Sequence, residues 1–202
     1  SIIASNDADD KDETQFLSIP SFSIVSMYPT NGSLTGGTDI FFRLNASIAI
    51  EVIQSSSILS HCQFGVQTVT AVWENSSFMK CTTPAVSSPN SFLVDISVNG
   101  QDLIATNTKN INTLMFTYTA IPKLHRLTPK VGPAIGGTSI YLTGSTFDPK
   151  TDYFCKFGSG ILSTVVEAHF SSPSLIRCVT PPTNVAGPVE LFLSVNNIDF
   201  MS

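Results

Sequence analysis

A chain of two tandem antiparallel β-sandwiches is the fold the sequence predicts. Three features predict it: an internal repeat near 100 residues, short β-branched and aromatic segments between turn residues, and two cysteines in each repeat. Moving the 202-residue chain by 100 positions lays Pro29, Gly32, Gly36, Gly37, Thr38 and Ile40 on Pro129, Gly132, Gly136, Gly137, Thr138 and Ile140. A shift of 93 pairs Cys62, Phe64 and Gly65 with Cys155, Phe157 and Gly158. A shift of 97 pairs Cys81, Thr83 and Pro84 with Cys178, Thr180 and Pro181, and Ser97-Val98-Asn99 with Ser194-Val195-Asn196. The offset drifts only where connections differ in length, as duplicated domains with variable loops require.

Each copy reads as all-β. Segments such as Phe92–Val98, Ser139–Leu142 and Ser163–His169 are rich in residues that suit a pleated, half-buried surface, and Gly, Pro, Asn or Ser bounds them. No stretch sustains a capped amphipathic helix. The nearest approach is Ile48–Leu59, an insertion in the first copy weakened as a helix by its serine run. In the Pro-x-x-Gly-x-x-x-Gly-Gly-Thr segment, Pro29 or Pro129 ends an edge strand. The glycines then supply a tight reversal and Thr starts the next strand. The expected organisation is residues 1–20 as an acidic loop and a closing strand of a preceding or neighbouring domain, 21–120 as the first domain, and 121–202 as a second domain lacking its final strand.

Hydrophobic residues make up 42% of the chain and charged residues only 12%, with net charge −5. That content of apolar residues supports a folded core. The absence of any Lys/Arg cluster argues against phosphate-driven nucleic-acid binding, and no apolar run is long enough for a membrane span. No GxSxG elbow, P-loop, HExxH or dinucleotide fingerprint occurs, and His61, His125 and His169 are scattered along strand patterns. An enzyme is not expected, and no cofactor or metal is called for. Asp7, Asp9 and Glu13 are the sole calcium candidates. They lack the spacing of an EF-hand loop and read as a solvated hairpin.

Cys62 with Cys81 and Cys155 with Cys178 is the simplest pairing, each closing a loop of some 20 residues and adding about 3 kcal/mol. Four free buried thiols are the alternative. The sequons Asn31-Gly-Ser33, Asn45-Ala-Ser47 and Asn75-Ser-Ser77 favour an oxidising compartment and N-linked glycans, and abundant Ser and Thr leave room for O-linked sugars.

The segments Leu124–Gly144, Cys155–Gly158 and Arg177–Pro181 resemble the IPT/TIG domain, an immunoglobulin-like fold of plexin-like receptors, fibrocystin-type proteins and protist surface proteins. The resemblance covers nearly the whole chain from Phe22 onward, most specifically in the second copy. It implies immunoglobulin-like sandwiches, a disulfide within each domain, and an extracellular, secreted or cell-surface setting. The Rel-type transcription factors that share the domain bind DNA through basic loops, which this sequence lacks.

The segment Thr14-Gln15-Phe16-Leu17-Ser18-Ile19-Pro20 resembles Met115–Pro122, the end of the first copy. This predicts an inter-unit strand, Thr14–Ile19, that completes the second domain of an adjacent unit. The expected function is a non-enzymatic structural repeat joined head to tail into a filament or string. Its partners are copies of itself or adjacent repeats, with other surface proteins as further candidates. The alternative is a ligand-binding or adhesive fragment of a receptor ectodomain. Ile48, Ile50, Val52 and Ile53, in an insertion seven residues longer than its counterpart, form a candidate contact loop.

Overall fold

The computed structural model describes residues 23–45, 60–103, 114–184 and 186–202. Its strands are β1 (Ile24–Tyr28), β2 (Asn31–Ser33), β3 (Asp39–Leu44), β4 (His61–Phe64), β5 (Gln67–Asn75), β6 (Phe78–Thr82), β7 (Asn90–Ser97) and β8 (Met115–Thr119) in the first domain. The second holds β9 (Lys123–Thr128), β10 (Ser139–Ser145), β11 (Tyr153–Phe157), β12 (Thr164–Ser172), β13 (Leu175–Val179), β14 (Leu191–Ser194) and β15 (Phe200–Met201). A 3-10 turn spans Gly160–Leu162.

Each domain is one sheet curled into two layers. The first runs β1-β3-β6-β5-β4-β7-β8-β2 and the second β15-β14-β11-β12-β13-β10-β9. The curl occurs in the nine-residue strands β5 and β12. The first half of β5 pairs with β4 and its second half with β6; β12 divides in the same way between β11 and β13. A long strand serves both layers because right-handed twist turns it from one plane into the other. All pairings are antiparallel except the short β2–β8 contact.

Alternation places Ile40, Phe42 and Leu44 of β3 inside, as it does Ile140 and Leu142 of β10. Both disulfides form across the layers of their domains. Cys62 on β4 joins Cys81 on β6, and Cys155 on β11 joins Cys178 on β13, with Cα–Cα distances of 6.3 and 6.5 Å. All four cysteines are buried, so each bridge stitches the centre of a core and removes loop entropy from the unfolded chain.

The domains differ at one edge. In the first, β8 contributes Leu114 beside it and Phe116 and Tyr118 within it, all fully buried, with Phe116 edge-on to Phe64 and Tyr118. Burial pushes the Tyr118 phenol up to about 12, the Thr83 hydroxyl offsetting part of that. In the second domain β15 pairs Phe200 with Ser194, at the place where Leu103 bridges Ser97 in the first. No counterpart of β8 occurs among its described residues, and Phe157 and Leu191 are half-buried where Phe64 and Val94 are buried. Lys156 closes over this edge, its ammonium 4.9 Å from the Phe192 ring centre and 4.3 Å from that of Phe200.

Candidate functional site: the interdomain joint

The repeated Pro-x-x-Gly-x-x-x-Gly-Gly-Thr segment folds into the same loop twice. The Gly36 and Gly136 amides bond the carbonyls of Ser33 and Pro133, and those of Gly37 and Gly137 bond Thr83 and Thr180. The Thr38 and Thr138 carbonyls accept the amides of the same two threonines, and their own amides donate to those threonines' hydroxyls. Gly36 and Gly136 have φ of 68° and 79°, and a Cβ on either would fall 2.6 Å from the backbone of Pro84 or Pro181. Only glycine satisfies both the turn and that approach. The result is a shallow socket with a threonine hydroxyl at its centre.

The second repeated device is a turn. In the first domain the Asn99 carboxamide oxygen accepts the amides of Gln101 and Asp102 and the Ser97 hydroxyl, while its nitrogen donates to Asp102 Oδ2 at 2.7 Å. In the second domain Asn196 does the same with Ile198, Asp199 and Ser194, donating to Asp199 Oδ2 at 2.9 Å. Gly100 and Asn197 occupy the same left-handed position, φ 79° and 61°. Asparagine suits this geometry because its short amide mimics a backbone turn.

The second domain's turn sits in the first domain's socket. The Thr38 hydroxyl donates to Asp199 Oδ2 at 2.6 Å, and Thr38 is only 1% exposed. Asn31 Nδ2 donates to the Val195 carbonyl and Asn196 Nδ2 donates to the Asn31 carbonyl, both at 3.1 Å. The Tyr28 hydroxyl reaches the Asn196 carbonyl at 3.5 Å. Beside these bonds lies a cleft of about 300 Å³ lined by Ser33, Thr35, Ile121, Phe200 and Met201. It is shallow, and among the described residues no group of three or more metal-ligating side chains occurs.

The residues singled out from sequence fall as follows. Asn31 is half-buried and engaged in the joint, whereas Asn45 and Asn75 are exposed. The Asn45 carboxamide accepts the Ser23 amide, and that of Asn75 accepts the Ser77 amide. Asp7, Asp9, Glu13 and the segment Thr14–Ile19 lie outside the described residues, as do Ile48, Ile50, Val52 and Ile53. Thr38, Asn196 and Asp199 carried no functional expectation. The signal for Thr38 was the shift of 100 that pairs it with Thr138, and for the other two the shift of 97, which pairs Asn99 with Asn196 and continues to Asp102 and Asp199.

Residues 122–202 match the IPT/TIG domain model. The second domain is an IPT/TIG domain. The first repeats the order of six of its strands, its cross-layer disulfide and its socket bonds, so the two domains share one sandwich fold. Fibrocystin-L of Mus musculus is 25% identical over 178 residues, which is 87% of this chain and 4% of that protein. The Plexin A4 extracellular region aligns with a TM-score of 0.50 at 17% identity, over 89% of this chain and 15% of its own. At that identity the likeness shows the fold alone. The chain therefore spans a small part of both.

Proposed function

We propose that this chain is a non-catalytic segment of a cell-surface or secreted receptor-type ectodomain, which holds its two IPT/TIG-type domains in fixed relation and presents their outer faces for binding. The carrying observation is the joint: four hydrogen bonds link side chains and carbonyls of one domain to the turn of the other. These bonds restrain the relative motion that a small, polar interface between domains otherwise allows, which suits presentation and spacing. The buried disulfides support an oxidising compartment, and the likeness to Fibrocystin-L, together with the fold shared with the Plexin A4 extracellular region, fits a surface or secreted setting. Head-to-tail stringing of such units, with Thr14–Ile19 as the linking strand, is the finer arrangement we propose within that setting. An antibody raised against this chain should label intact, unpermeabilised cells that express the whole protein. Labelling only after permeabilisation refutes the extracellular reading.

A further inference from the structure

The joint uses one half of each domain's equipment and leaves the matching half of the other at the far ends. Asn196 is 5% exposed in the joint, whereas Asn99, with the same bonds in the same turn, is exposed. Thr38 is buried beneath Asp199, whereas Thr138, in a socket with the same backbone bonds, is half-exposed. Two apolar side chains, Val131 and Ile135, stand 85% and 83% exposed on the second socket, at the positions of Asn31 and Thr35.

We propose that the Asn99–Asp102 turn and the Gly132–Thr138 socket are docking sites for adjoining immunoglobulin-like domains of this same type, each reproducing the joint seen between the two domains. The Gly132–Thr138 socket takes a Ser-x-Asn-x-x-Asp turn: the Thr138 hydroxyl donates to its aspartate and the Val131 carbonyl accepts from its asparagine. The Asn99–Asp102 turn enters a socket whose threonine hydroxyl donates to Asp102. The second socket lacks the Asn31 and Tyr28 side chains, having Val131 and Thr128 there, so it holds its turn through fewer hydrogen bonds and more apolar contact. This inference rests on the proposed function only in that the chain is read as part of a longer ectodomain. It does not depend on the strand Thr14–Ile19.

A second copy of the chain carries both halves and is the probe. Chains bearing Asp102→Cys and chains bearing Thr138→Cys are mixed and oxidised, and the linked species are mapped by peptide mass. The Asp102–Thr138 heterodimer should exceed random pairing by about fivefold, the ratio that about 1 kcal/mol supplies. Adding Asn99→Ala to the Asp102→Cys chain, which destroys the turn, should return pairing to random. Random pairing of the first mixture overturns the proposal, as does an excess that survives Asn99→Ala. The double variant Thr38→Cys/Asp199→Cys should cross-link within one chain. If it does not, the joint itself is wrong and the proposal falls with it, while surface labelling of cells separately decides the extracellular reading.

Discussion

The bond from Thr38 to Asp199 supplies a quantitative test of whether the domains are coupled. It is short, at 2.6 Å, its acceptor is a carboxylate, and its donor is 1% exposed. Hydrogen bonds to charged groups contribute about 1.5–3 kcal/mol. Asp199 is half-buried and keeps some hydration, which sets the expectation at about 1.5–2 kcal/mol. Asp199→Ala alone also removes the bond from Asn196, so a single substitution overstates the joint. The cycle Thr38→Val, Asp199→Ala and the double variant cancels that contribution. Trp73, the single tryptophan, lies in β5 of the first domain with its indole bonded to Ser60, and its fluorescence follows urea unfolding of the domain that holds Thr38. A coupling energy below about 0.5 kcal/mol refutes the claim that the turn secures the socket. Asp102→Ala is the internal control. It breaks the matching bond within the other turn and leaves the joint intact, so it should cost less than Asp199→Ala by about the coupling energy.

Two further outcomes are expected. In secreted chain, glycans at Asn45 and Asn75 should leave the joint undisturbed, whereas molecules glycosylated at Asn31 should lose the bond to Val195 and scatter X-rays as a looser pair of domains; matching curves with and without the Asn31 glycan refute this. For Tyr118 the folded phenol titrates near 12 and the unfolded one near its ordinary 10, so its contribution to stability is complete below pH 10 and lost as pH rises through about 12. Tyr118→Phe should flatten that alkaline loss in chemical unfolding measured between pH 9 and 12, and an unchanged slope overturns the assignment.

Much of the fold was legible in sequence because its determinants are local. Runs of β-branched and aromatic residues between turn residues marked β10 at Ser139–Leu142 and β7 at Phe92–Val98. The glycines of the socket loop stood out because their φ values admit little else. The joint was less legible. Ser97-Val98-Asn99 and Ser194-Val195-Asn196 were visible as a repeat, but a repeated turn and a repeated loop do not say that one enters the other. Asn31 illustrates the gap: as a tripeptide it is a glycan acceptor like Asn45 and Asn75, and only the approach of Val195 separates it from them.

The sequence by itself determined that this protein is a duplicated, disulfide-compatible, all-β chain, because strand alternation, turn glycines and cysteine spacing act over neighbouring residues and survive in one dimension. The tertiary structure alone decided which loop meets which turn. That choice depends on donors and acceptors 160 or more residues apart, such as Thr38 and Asp199, being brought within 2.6 Å by the stacking of two sandwiches. Burial then gives two chemically equal copies different surroundings: Thr38 is covered where Thr138 is half-exposed, and Asn196 is enclosed where Asn99 meets water.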